Sequence, residues 1–240
     1  MRINPPDAYW KKDVSLFLSR RFALLIKMLY PVAIIVPVAA SDIPARYAAA
    51  VVGIVAIMAG TFGAGESLTS DLNDGILARV ALTPLSPYRI VFEILAVNAV
   101  LDLLQLLPAL LVVYILHPVS LVWVCAATFA VFATLVAANC IGVFIANFTS
   151  SPADVLLYAT AILFPLIYVS GFFRNQHPTG ILATLRDFVP FAYANDAMKY
   201  IFGLQAGSTP LEVFVYPTVI CAALVFLVCL TAPRLLSQRL

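Results

Sequence analysis

Six long apolar segments constrain the fold of this chain more than any other feature of its sequence. Each is close to or above the roughly 20 residues that an α-helix needs to cross a bilayer. Only two charged residues, Lys27 and Asp102, fall inside them. The segments are 22–40, 47–65, 94–116, 121–146, 155–173 and 213–233. They predict an all-α polytopic membrane protein with six transmembrane helices.

The composition excludes most other classes of protein. Hydrophobic residues make up 63% of the chain and charged residues 11%, whereas roughly a quarter of a soluble domain is charged. A net charge of +2 without a basic cluster argues against nucleic-acid binding. The four cysteines lie in apolar runs without CxxC spacing, and His117 and His177 are far apart, so no metal site is indicated.

The Lys and Arg residues outside the spans predict the orientation of the chain, because cytoplasmic loops carry an excess of these residues. An arrangement with both termini in the cytoplasm puts nine of them inside and four outside. The inner group is Arg2, Lys11, Lys12, Arg20, Arg21, Arg79, Arg89, Arg234 and Arg239, and the outer group is Arg46, Arg174, Arg186 and Lys199.

The chain is interpreted as one permease domain, 1–240, with three informative segments outside the spans. The first, 1–21, is predicted to form a cytosolic amphipathic helix in the membrane interface, since Trp10, Val14, Phe17 and Leu18 share one helical face. An untethered basic tail is the alternative. The following apolar run is longer than the core of a usual signal peptide, which favours a retained membrane helix.

The second segment, 66–92, is predicted to be a long cytosolic loop that contains a short helix. Ile76, Leu77 and Val80 form a small apolar face, and Pro84 ends the helix. A helix this short is marginal by itself, so the face is expected to dock into a partner protein. Packing against the membrane-proximal helices of the same chain is the alternative.

The third segment, 174–210, is predicted to form two short helices at the outer face, neither long enough to span. Ile181, Leu182, Leu185, Phe188 and Val189 form an apolar face on the first, and the second begins after Pro190. Both are expected to rest in the outer interface or to dip back into the membrane.

Two motifs in these segments resemble those of the membrane subunits of ATP-binding-cassette (ABC) transporters of the type-2 permease family. One is Glu66 followed by Asp74-Gly75-Ile76-Leu77-Ala78-Arg79 and Thr83-Pro84-Leu85-Ser86. The other is Pro190-Phe191-Ala192-Tyr193, then Asp196 and Lys199, which is similar to the family pattern Pro-x-x-Tyr-x-x-Asp-x-x-Arg. Lys199 stands where Arg is more usual. The interfacial helix, the topology and the length also match, so the resemblance covers the whole chain.

The resemblance implies the membrane subunit of an exporter that moves an amphiphilic, drug-like, lipidic or glycan-linked substrate outward across a prokaryotic cytoplasmic membrane. It implies as partners a second permease subunit and two ATPase subunits, which bind ATP and Mg²⁺, and it implies no cofactor in this chain. The chain has no phosphate-binding loop of its own, since none of its lysines follows a glycine. It is therefore expected not to be an enzyme by itself.

The family's coupling helix, which inserts into the ATPase, corresponds by resemblance to the short helix of the 66–92 loop. The residues expected to couple to the ATPase are Glu66, Asp71, Asp74, Gly75, Ile76, Leu77, Arg79, Val80 and Pro84. In the outer segment the candidate site residues are Pro190, Tyr193, Asp196 and Lys199.

Polar residues inside the spans are candidates for a pathway or for structural roles. At 1.5 Å per residue, Lys27 and Glu93 lie about 7–8 Å and about 5 Å deep, which predicts an ion pair between them. Asp102 lies about 18 Å deep without a base at its level, so it is expected to be neutral and hydrogen-bonded to Gln105 or to a neighbouring helix. Asn139 is a further candidate.

A membrane scaffold is the alternative function, for example a haem-handling component of cytochrome c maturation with a similar six-helix design. The helical outer segment, with Tyr193 and Asp196, favours the exporter.

Overall fold

A computed structural model describes residues 14–15, 19, 21–41, 45–81, 86–118, 120–173, 179–201 and 210–237. Within them every regular element is a helix. In chain order these are α1 (Arg21–Ala40), α2 (Ala45–Asn73), α3 (Ile76–Ala81), α4 (Pro87–Leu116), α5 (Leu121–Ala146), α6 (Pro152–Val169), α7 (Ile181–Asp187), α8 (Pro190–Ile201) and α9 (Pro210–Ser237).

A helix occupies each of the six predicted spans. Four stretches are long and apolar enough to cross a membrane, namely Tyr47–Asn73, Pro87–Leu116, Leu121–Ala146 and Pro152–Val169. Leu24–Ala40 and Thr218–Thr231 are shorter apolar helices. The all-helical fold is confirmed for the described residues, while the count of six spans and their orientation stay predictions. Of the predicted interfacial segment 1–21, only residues 14, 15, 19 and 21 are described, and they are helical.

Helices take up most of the segment 66–92, which the sequence predicts to be a loop with one short helix. Nothing between Gly65 and Asn73 breaks a helix, so α2 continues to Asn73. Gly75 follows it, with a φ of +64° that suits the left-handed turn that ends a helix. Pro87 does not interrupt a helix but starts α4, at a position where its missing N–H costs nothing. The Ser86 side chain caps that helix by accepting from the Arg89 backbone N–H at 3.3 Å.

The helices α2 and α5 form the most extensive contact of the fold, and the other helices pack around them. Small residues let the two backbones approach, as is usual between membrane helices. A Cβ built on Gly60 would lie 2.9 Å from the Ala138 Cβ, and one on Gly142 would overlap the Thr61 carbonyl oxygen. The Thr61 hydroxyl donates to the Ala138 carbonyl across the same contact, at 3.2 Å.

Candidate functional site

The turn between α2 and α3 exposes a small polar tip, which we define as Ser70, Asn73, Asp74 and Arg79. All four side chains are exposed. The Arg79 guanidinium folds back over the turn and donates to the Gly75 and Asp74 carbonyls, each at 3.4 Å. A Cβ on Gly75 would meet nothing within 4 Å, so glycine serves the backbone conformation there and not a close contact. The tip is thus a structured turn between α2 and α3 whose side chains face solvent.

Leu77 does not belong to an exposed apolar face. It is 3% exposed and packs in its own chain against Leu68, Ile90 and Val143, with Ile76 partly buried beside it. Leu77 therefore packs in its own chain, as the alternative has it, whereas Ile76 is only partly buried, and docking of this face on a partner stays a prediction. Burying a leucine contributes about 1.5–3 kcal/mol to stability, and here Leu77 contributes it to the core of its own chain. The Val80 side chain and Pro84 lie outside what the structure describes.

Two of the three acidic residues expected in the coupling loop lie on α2 instead. Asp71 is buried and Glu66 is half-buried. Of the acidic residues predicted to couple to an ATPase, Asp74 alone has an exposed side chain.

A second turn beside the tip was not predicted as part of the site. The turn joins α5 to α6, and its Ser150 carbonyl accepts from the Asn73 amide at 3.0 Å, while the Thr149 and Thr69 hydroxyls are 3.4 Å apart. Phe148 is 72% exposed in this turn. Ser151 and Asp154 form a capping box that starts α6. This Ser-Pro-Ala-Asp signature was readable from the sequence, but its position beside α2 was not.

A buried polar network joins three helices near the middle of the bundle. Asn139 of α5 is 0% exposed and Asp102 of α4 is 6% exposed. With its amide oriented to match its neighbours, Asn139 donates to Asp102 Oδ2 at 3.3 Å and to the Gly60 carbonyl of α2 at 2.6 Å. Its oxygen accepts from the Ala99 N–H at 2.9 Å. The partner expected on a neighbouring helix is therefore Asn139, and the half-buried Gln105 makes no hydrogen bond to Asp102.

The predicted ion pair between Lys27 and Glu93 is wrong. Glu93 pairs with Arg89 one turn earlier on α4, with Nε and Oε1 2.8 Å apart. The i,i+4 spacing on one helix brings these two side chains together without any tertiary contact. Lys27 is exposed on α1 and interacts electrostatically with Asp102 and Glu66.

The outer segment divides into an exposed helix and a packed one. No side chain of α7 is buried, and Ile181 and the following residue Phe188 are each 80% exposed. The interfacial position of α7 stays a prediction. Helix α8 instead packs into the bundle against α2, α5 and α9, with Phe191 and Met198 buried.

Polar side chains of α8 form hydrogen bonds and an ion pair with α7 and with the end of α6. The Tyr193 hydroxyl donates to the Asp187 carbonyl at 2.9 Å, and Asp196 forms an ion pair with Arg186 of α7. Lys199 Nζ donates to the Gly171 carbonyl at 3.1 Å. Pro190 is the first residue of α8. Asn195 was not predicted from the sequence as a site residue. Its amide donates to the Ser170 carbonyl at 3.1 Å.

The described residues contain no group of three or more His, Cys, Asp or Glu side chains that could hold a metal ion. The arrangement offers hydrogen bonds and charges at helix ends and in the bundle.

The family comparison agrees with this architecture. A family model described as "ABC-2 type transporter" matches residues 8–203, which is most of the chain. A search of the curated proteins finds no match. Membership implies a multi-pass membrane protein that associates with an ABC ATPase and typically has no ATPase site of its own. The chain belongs to the ABC-2 type transporter family, as an ABC-type permease subunit.

Proposed function

We propose that this permease is the transmembrane subunit of an ATP-driven exporter, powered by a separate ATPase that docks on the tip between α2 and α3. Two copies of the chain, or one with a related permease, pair in the cytoplasmic membrane of a prokaryote, with two ATPases below. The whole chain, 1–240, serves as one permease domain. Both termini and the tip face the cytosol, and 174–210 faces outward.

One observation carries the proposal: the tip is exposed, yet the short helix that follows it packs against the core helices. Asp74 and Arg79 face solvent, while Leu77 anchors α3 in the apolar cluster beneath α2, α4 and α5. A displacement applied to the tip would therefore pass to α2, whose 29 residues extend about 43 Å at 1.5 Å per residue. ATP-driven closure of the ATPases would supply that displacement.

The α5–α6 turn supports the same path. It is joined to the end of α2 through Asn73 and Ser150, so a movement of the tip also reaches α6. The cargo we propose is an amphiphile that enters from the cytosol or the inner leaflet. Asp102, Asn139, Gln105, Glu93 and Lys27 are the polar groups available to a pathway, with the Asp102–Asn139 pair serving a structural role.

The docking is tested by reversing the two exposed charges of the tip, Asp74→Arg and Arg79→Glu, singly and together. Exposed surface substitutions usually change stability by no more than about 0.5 kcal/mol, so the permease should stay folded. We expect the double variant to lose the ATPase on size-exclusion chromatography. We also expect loss of ATP-dependent uptake of a fluorescent amphiphile into inverted vesicles, where export appears as uptake.

Asp187→Arg is the matched control, because Asp187 is an exposed acid at the opposite end of the protein and the charge change equals that of Asp74→Arg. Its ATPase binding should match the unmodified chain. Unchanged ATPase binding in the double tip variant would refute docking at this surface. A complex that hydrolyses ATP but takes up no amphiphile would favour the scaffold over the exporter.

A further inference from the structure

The end of α6 is held by two side chains from a single helix. Asn195 and Lys199 lie one turn apart on α8, and they donate to the consecutive carbonyls of Ser170 and Gly171. Ser170 is the C-cap of α6, and Gly171 has a φ of +80°. Carbonyls at a helix C-terminus lack partners within the helix, and a cation is favourable there because it opposes the helix dipole.

A second pair of contacts joins α7 to the same helix. Asp196 pairs with Arg186, and the Tyr193 hydroxyl donates to the Asp187 carbonyl. These four side chains of α8 thus face two different neighbours. Asn195 and Lys199 hold α6, while Tyr193 and Asp196 hold α7.

We propose that Lys199 is a positioning residue which, together with Asn195, clamps the outer end of α6 to α8, so that this end of α6 moves with α7 and α8 as one unit in the transport cycle. We call these two contacts the α6 clamp. Their part in the cycle rests on the proposed transport function. The clamp also assigns a physical role to the motif from Pro190 to Lys199, in which the last position needs a long cationic donor that reaches a carbonyl.

This role explains why lysine serves where arginine is usual. The Gly171 carbonyl is a single acceptor, so it needs one charged N–H and not the two-pronged geometry that only arginine supplies to a carboxylate. Asn195 Oδ1 and Asp196 Oδ1 are buried without a hydrogen-bond partner among the described residues. These two unpaired acceptors offset part of the stabilisation that the clamp contacts give. A small net stabilisation suits a unit that changes position.

The clamp is tested by hydrogen–deuterium exchange of the purified full-length permease, followed in peptides that cover 166–173. Lys199→Met keeps the aliphatic stem and removes the donor. We expect exchange in this segment to become about tenfold faster, because the backbone bonds that end α6 would open more often. Lys199→Arg should restore the original rate. Asp187→Asn, which removes an exposed charge outside the clamp, should change nothing.

Unchanged exchange in Lys199→Met, or an equal gain in Lys199→Arg, would overturn the clamp. If Lys199→Met fails to assemble, Lys199→Gln provides a neutral donor and should exchange at an intermediate rate; a rate equal to that of the unmodified chain would count against the clamp. The exchange measurement needs no transport, so it remains readable if the proposed function fails.

A second experiment tests whether the end of α6 moves together with α7 and α8. With the ATPase bound, trapping ATP should change exchange in 166–173 and in 181–201 together. Lys199→Met should retain the ATPase but lose this joint response and reduce transport, and Lys199→Arg should recover both. Separate responses of the two segments in the unmodified chain would contradict their movement as one unit.

Discussion

At the residue scale, Asn139 explains how the carboxyl group of Asp102 can be buried between the helices. A carboxyl group buried in a membrane bundle is costly unless it is hydrogen-bonded. The Asn139 amide donates to Asp102 and to the Gly60 carbonyl, so a single side chain connects α2, α4 and α5. Gly63 leaves room for the carboxyl group, since a Cβ there would lie 3.2 Å from Asp102 Oδ1.

The predicted consequence is that Asp102→Asn preserves the fold. The new amide carbonyl can accept from Asn139 as the carboxyl group does now. Asp102→Leu keeps the branched shape, although it is bulkier, and has no acceptor; an unpaired buried donor costs about 1–3 kcal/mol. The melting temperature of the purified permease should therefore fall in the Leu variant and stay close to that of the unmodified chain in the Asn variant. A large loss in both would show that the negative charge itself is needed.

At the element scale, glycines decide how closely α2 and α5 pack. Gly142 lies against the backbone of Thr61, and a backbone carbonyl cannot rotate away as a flexible side chain could. The contact therefore fixes the separation of the two helices that form the centre of the bundle.

Gly142→Ala should destabilise the permease by about 1–3 kcal/mol, the usual cost of overpacking a well-packed core. The fraction that remains monodisperse after heating measures this loss. Ala161→Val is the control, because it adds bulk at an exposed position of α6 and should have little effect. If Gly142→Ala is as stable as the unmodified chain, the helices are free to separate at this point.

At the scale of the whole molecule, the orientation rests on the excess of basic residues on one side. Ser70 lies in the tip and Thr179 lies just before α7, and both are exposed. Thr179 is the better outer probe than Gly180, whose φ of +68° would strain any side chain placed there.

Single cysteines at Ser70 and Thr179 should react with a membrane-impermeant maleimide from opposite sides. Cys125 is exposed and is replaced by serine in the background. Right-side-out vesicles should label position 179 only, and inverted vesicles position 70 only. Reaction of both from the same side would rule out the six-span arrangement with the N-terminus inside.

Much of the helical content was readable from the sequence because its signals are local. Apolar length predicts spans, and Gly75, Ser86 and Ser151 mark helix ends through backbone conformation and capping. The extension of α2 to Asn73 was missed, since polar residues at a membrane boundary resemble a loop while remaining compatible with a helix.

The sequence by itself thus determined that the chain is helical, apolar enough for a membrane, and organised around two recognisable motifs. Only the tertiary structure decided which partner each site residue contacts. Leu77 packs inside its own chain, Asp102 meets Asn139, and Lys199 reaches a carbonyl 28 residues earlier. Helical periodicity shows which face a side chain occupies, but contacts between residues far apart in the chain depend on how the helices pack, and glycine contacts such as Gly142 with Thr61 set that packing.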